Sequence, residues 1–204
     1  MSEMEPSDRN CPLESSSATL LFRDYAEHLY RALKTIQPET IESFFAKVWD
    51  TVHAERQIFV AGNGGSASIA DHLCCDWTKG ATVEGKPVAR THSLSSNVPL
   101  MTALANDRSY SNIFSDQLTL LGKRGDMVIL ISSSGNSPNV LEAAAKARIL
   151  GIQSVGMTGF DGGKLGAMVD IHLHVHIDHY GIIEDCHQAV MHALAHHLRL
   201  RNHP

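Results

Sequence analysis

Four serines in six residues, Ser132-Ser133-Ser134-Gly135-Asn136-Ser137, stand between an apolar run at Met127–Ile131 and a segment that opens with Pro138. A strand, a hydroxyl-rich turn and a helix in that order can hold an anion. Backbone N–H groups at a helix N-terminus lack partners within the helix, and the dipole places about half a positive charge there. Proline suits the first helical turn, where its missing N–H would have had no partner. The turn contains no lysine, so it is not a nucleoside-triphosphate P-loop. Its composition fits a cradle for the phosphate of a small metabolite, with a serine-rich helix cap as the alternative.

A second turn, Gly62-Asn63-Gly64-Gly65-Ser66, follows the apolar run Ile58–Ala61. Its glycines permit tight geometry and close approach by a ligand. Gly62-x-Gly64 matches part of a dinucleotide fingerprint, but no acid ending a second strand follows about 20 residues on. His72 and Asp76 come next, four positions apart on one helix face. Such a pair can chelate a metal or act as acid and base. An exposed Asp76 beside a His72 that covers a packing face is the other reading. Near the end of the chain, Glu184, Gln188 and His192 fall on one helical face, with His187 about one turn from Glu184. Glu184 and His192 together again suit metal ligation. A histidine-rich exposed surface is the alternative there, and it covers His196, His197 and His203.

These groups need a scaffold, and the hydrophobic pattern supplies one. Leu21, Tyr25, Leu29 and Leu33 form a helical stripe within Leu20–Ile36, and Pro38 opens a second helix through Val52. Strands are then expected at Gln57–Ala61, Ala89–Leu94, Met127–Ile131, Gln153–Thr158 and Asp170–Val175. Helices are expected at Ser66–Trp77, Val98–Ala105, Tyr110–Leu121, Ser137–Leu150 and Ile182–Leu200, with a helical turn at Gly162–Ala167. The alternation argues for an α/β fold, a parallel sheet with helices on both faces preceded by a helical hairpin. Ligands in that architecture bind at the C-terminal ends of the strands.

Composition bounds the rest. The 204 residues are 43% hydrophobic and 19% charged, which suits one compact domain, taken as residues 19–204. The polar segment 1–18, with Pro6, Pro12 and Ser15–Ser17, reads as a flexible tail. Net charge is −5, and no basic stripe appears, which speaks against nucleic acid as a ligand. No apolar stretch reaches the roughly 18 residues of a membrane span, and no signal peptide is evident. The four cysteines show no CxxC spacing. A reduced, cytoplasmic protein is the expectation.

Taken together, Gly62–Ser66 with His72 and Asp76, Asn106-Asp107, Ser132–Ser137, Thr158-Gly-x-Asp-Gly-Gly-Lys164 and Glu184 to His192 occur in the order seen in sugar-isomerase (SIS) domain proteins. Within that family the chain most resembles the phosphoheptose isomerases, which interconvert sedoheptulose 7-phosphate and glycero-manno-heptose 7-phosphate. The resemblance spans roughly Leu20 to Leu200 and implies a three-layer, flavodoxin-like parallel sheet. It also implies a homotetramer with active sites between subunits, and a place in lipopolysaccharide or nucleotide-heptose synthesis. The family binds zinc through a histidine and a glutamate after the glycine loop, and a glutamine and a histidine on the last helix. Those positions fall on His72, Asp76, Glu184 and His192. Asp76 is one methylene shorter than the family glutamate, and Glu184 replaces the glutamine with a charge. Two carboxylates would favour metal binding while weakening the ion as a Lewis acid.

The same resemblance implies Asp76 as base and His192 as partner acid or second base for proton transfer through an enediol. It places the phosphate on Ser132, Ser133, Ser134 and Ser137. It places sugar contacts at Asn63, Gly64, Gly65, Ser66, Asp76, Asn106, Asp107 and Glu184. Three alternatives remain: a non-catalytic SIS assembly factor, an isomerase of another sugar phosphate, and a phosphosugar-sensing domain, although no DNA-binding module accompanies this one.

Overall fold

The β-rich runs pair as five parallel strands in the order β2-β1-β3-β4-β5. They are β1 (Gln57–Gly62), β2 (Arg90–Ser93), β3 (Met127–Ile131), β4 (Gln153–Thr158) and β5 (Ile171–His174). The helices are α1 (Ala18–Leu33), α2 (Pro38–His53), α3 (Gly65–Cys75), α4 (Val98–Asp107), α5 (Ile113–Leu121), α6 (Pro138–Leu150) and α7 (Tyr180–Asn202). This arrangement comes from a computed structural model that describes Leu13 and residues 15–203. Most of the expected N-terminal tail lies outside the described residues.

β3 is buried at every position, as its uninterrupted apolar sequence requires in a sheet covered on both faces. Alternate residues feed two cores. Ile58, Val60, Met127, Ile129 and Ile131 face the layer of α1, α2, α3 and α7. Phe59, Ala61, Val128 and Leu130 face α5 and α6. The three-layer, doubly wound fold matches the expectation. The first two helices do form a pair on the sheet, with Phe44, Val48 and Val52 of α2 buried in the first core.

Several boundaries differ from the sequence reading. The expected Tyr110–Leu121 helix is a 3-10 turn at Tyr110–Asn112 followed by α5. Asn106 and Asp107 close α4 instead of following it. α3 gives way to a π-helical segment at Asp76–Gly80, in which the Ala81 N–H donates to the Asp76 carbonyl at 2.9 Å. Such widened turns gather at functional sites. Strand order reverses between β1 and β3, so the loops leaving these two strands open a crevice at their C-terminal ends. Those loops are the glycine turn and the serine turn.

Candidate active site

The serine turn does little to cap its own helix. Ser137 is the N-cap of α6, yet its side chain makes no capping hydrogen bond. Its hydroxyl accepts instead from Ser132 Oγ at 3.3 Å. Ser132 and Ser133 are buried, and Ser133 Oγ has no hydrogen-bond partner among the described residues. A buried hydroxyl left unpaired costs about 1–3 kcal/mol, so its retention calls for an acceptor that arrives from outside. Gly135 sits at φ +63, and a Cβ there would collide with the Gly162 carbonyl. Backbone thus packs on backbone, and the 159–164 loop buttresses the turn. Beside it lies a cavity of about 430 Å³ lined by Ser134, Asn136, Phe160, Asp161, Asp178 and Tyr180. The plain helix cap is not what the Ser137 side chain forms.

The glycine turn is clasped to the serine turn by a reciprocal amide pair. Asn63 Nδ2 donates to Asn139 Oδ1 and Asn139 Nδ2 donates to Asn63 Oδ1, both at 2.9 Å. Tyr110 donates to the same Asn63 oxygen at 3.0 Å. Asn139, buried on α6 next to Pro138, had no role in the sequence reading. Only its nearness to the serine turn could have drawn notice. Asn63, expected to contact sugar, has its side chain committed to this clasp. Asn106 and Asp107 are exposed and bonded to each other at 3.1 Å.

Helices α3 and α7 run side by side. Asp76 Oδ2 lies 3.5 Å from His72 Nε2 and 3.4 Å from His192 Nε2. The two imidazoles meet edge to face with centroids 5.0 Å apart. Ligand atoms of His72, Asp76 and His192 all lie within 4.8 Å of one another. All three side chains keep 31–48% exposure, which leaves the cluster open to a substrate. Nitrogen and oxygen donors so grouped fit a zinc-like ion. A buried indole fixes the pairing: Trp77, next to Asp76, donates from Nε1 to the Met191 carbonyl, next to His192, at 3.0 Å.

Glu184, expected among the ligands, is not brought into this group. It lies against Gly65, the first residue of α3, where any Cβ would overlap its carboxylate. That is the positive end of the helix dipole. Gln188, one turn further along α7, is the residue that reaches the cluster. Its Nε2 is 2.6 Å from His72 Nδ1 and 3.2 Å from His192 Nε2. Beneath lies His187, fully buried, with Nε2 donating to the Thr158 carbonyl at 3.2 Å and Nδ1 unpartnered among the described residues. Burial pushes its pKa down to about 4, so it is neutral.

A doubly wound sheet whose switch point carries a serine turn with an unpaired buried hydroxyl, joined by a His/Asp cluster between α3 and α7, defines an α/β protein with the features of a small-molecule site. The chain belongs to the SIS domain family, whose profile matches residues 21–159. It is 37% identical over 172 residues to a probable phosphoheptose isomerase of Thermoplasma acidophilum, covering 84% of this chain and 94% of that one. A Helicobacter pylori phosphoheptose isomerase is 36% identical over 173 residues, covering 85% and 89%. Among solved structures, a phosphoheptose isomerase from Francisella tularensis superposes with a TM-score of 0.83 at 27% identity, covering 90% and 99%. One from Neisseria gonorrhoeae gives 0.80 at 28%, covering 88% and 95%.

Proposed function

We propose that this protein is an aldose–ketose isomerase of a sugar phosphate that converts sedoheptulose 7-phosphate to glycero-manno-heptose 7-phosphate. The observations that carry the reading are the Asp76 carboxylate held between His72 and His192 and a serine turn with an unpaired buried hydroxyl. The relatives' names supply the sugar.

The serine turn anchors the phosphate, and the open chain of the sugar extends across the crevice. Asp76 takes the C1 proton of the ketose, and the C–H electron pair becomes the C1=C2 bond of an enediol. His192, whose Nε2 faces Asp76, donates the proton of its other ring nitrogen to O2 as that bond forms. The O1 proton then leaves and C2 is protonated, which completes the aldose with atoms and charge in balance. Both short contacts of Asp76 use Oδ2, which leaves Oδ1 for the proton transfer. His72, Asp76 and His192 would hold zinc, which when bound supplies Lewis-acid polarisation of a substrate oxygen.

The active enzyme is a homotetramer with sites between subunits. Exposed apolar side chains of Leu20, Phe22 and Tyr30 on α1 support that assembly. No helix among the described residues is long and apolar enough to cross a membrane. The reading is of a cytoplasmic enzyme that needs neither nucleic acid nor membrane.

Replacing Asp76 with Asn tests the mechanism. Loss of a positioned base costs about 100- to 10,000-fold in kcat. Binding of the phosphosugar, measured by calorimetry, should change by less than about threefold, because the anchor is elsewhere. Near-native turnover in D76N would remove Asp76 from the chemistry.

A further inference from the structure

We propose a second anion site, for a small diphosphate, at the end of the sheet away from the serine turn. The site is independent of the isomerase reading. A cavity of about 350 Å³ opens where β1, β2 and β3 begin. Arg56, Arg90 and Lys123 line it. Arg56 immediately precedes β1, Arg90 is the first residue of β2, and Lys123 lies in the turn that leads into β3. From Gln57 to Gly62, β1 spans about 16 Å, so an occupant of this cavity is out of reach of the glycine and serine turns.

The cations are available. Among the described residues, the Arg56 and Lys123 side chains make no hydrogen bond or ion pair. A Cβ on Gly125 would stand 3.6 Å from Arg56 Nε, so that guanidinium lies over the turn that carries Lys123. Arg90 is held in place by one contact, from Nη1 to the Glu55 carbonyl at 3.1 Å. Glu55 adopts φ +54, a left-handed conformation that favours glycine, and its carbonyl is the one that receives Arg90. Two carboxylates share the cavity. Asp126 is buried, and its two oxygens accept the Gln57 N–H at 3.0 Å and the Lys123 N–H at 2.8 Å. The Glu55 side chain is exposed and pairs with none of the three cations. Phe59 and His92, edge to face with centroids 6.0 Å apart, back the cavity.

Guanidinium forks match phosphate oxygens in pairs, and an ammonium adds a point charge. Three cations set on three separate loops suit an anion charged at more than one point, as a diphosphate is. The serine turn differs in kind, since it offers hydroxyls and backbone N–H groups and no formal charge. Binding at the cationic cavity therefore depends on salt, because exposed charges are screened within about 8 Å at physiological ionic strength.

The test is calorimetric titration of the full-length, chelator-stripped protein with pyrophosphate. The native chain should bind with a Kd below about 1 mM at about 0.15 M salt, and more tightly at lower salt. Arg56→Gln combined with Lys123→Gln should weaken binding by at least about tenfold. Neither side chain has a partner to lose, so the urea midpoint should stay native. Lys123→Gln alone, at an exposed position, should weaken binding by at least about threefold and guards against a poorly folded pair. Ser133→Ala combined with Ser137→Ala should leave affinity within about threefold, since the serine turn is elsewhere. Native affinity in the folded Arg56→Gln/Lys123→Gln protein and in Lys123→Gln overturns the proposal. Binding lost in the serine variant overturns it too, as does a native chain that takes up no pyrophosphate.

Discussion

His187 ties the stability of the protein to pH. It sits on α7 next to Gln188, fully buried, and its pKa falls from 6.5 to about 4. Burial is the main cause; the hydrogen bond to Thr158 opposes it and His174 adds to it. Since the folded value lies below the unfolded one, the unfolded chain takes up the proton first as pH drops. The contribution of neutral His187 is therefore complete above about pH 6.5 and is lost as pH falls toward 4. At about 1.4 kcal/mol per unit, linkage removes about 2 kcal/mol by pH 5 and about 3 kcal/mol by pH 4. His187→Leu isolates the effect. The side chains are similar in volume, and the Thr158 carbonyl keeps the Val175 N–H at 2.9 Å. At pH 8 the variant should lie within about 1 kcal/mol of the native protein. At pH 5 the difference between them should move by about 2 kcal/mol in favour of the variant. His172, whose pKa is also lowered, chiefly by burial, is present in both proteins and cancels. Urea midpoints followed by circular dichroism from pH 8 to pH 4 read this directly. Parallel curves for the two proteins would refute the reasoning.

Two other outcomes follow from the crevice. Ser133→Ala removes a buried hydroxyl with no partner, so stability should hold or rise by about 1 kcal/mol while KM for the phosphosugar rises at least about tenfold; an unchanged KM would take Ser133 out of the anchor. Asn139→Ala removes two hydrogen bonds from the Asn63 amide, which keeps only the one from Tyr110, and should cost about 1–3 kcal/mol, read as a lower urea midpoint. Its glycine and serine turns should also lose their mutual register, raising KM; a variant with native midpoint and native KM would show that the clasp holds nothing.

Much of this was legible before any coordinates. The unbroken apolar run of β3 and the alternation of strand and helix specify a covered parallel sheet, and the sheet places the loops after β1 and β3 at its switch point. Four-residue spacing put His72 with Asp76 on one face, and the structure brings His192 to them. What could not be read was register between helices distant in sequence. Glu184, Gln188 and His192 share one face, and only the packing of α7 on α3 decides which of them lies level with His72. Asn139 and Trp77 escaped for a similar reason. A buried amide and a buried indole look like ordinary helix residues until their partners, Asn63 and the Met191 carbonyl, are known. The π segment at Asp76–Gly80 has no local sequence signal that periodicity detects.

The most direct test of the account is to incubate the native protein with sedoheptulose 7-phosphate in D2O and follow the sugar by NMR. Proton transfer through an enediol predicts glycero-manno-heptose 7-phosphate carrying solvent deuterium at C2. Sedoheptulose 7-phosphate that stays unconverted, with the zinc-loaded protein present and folded, would contradict it.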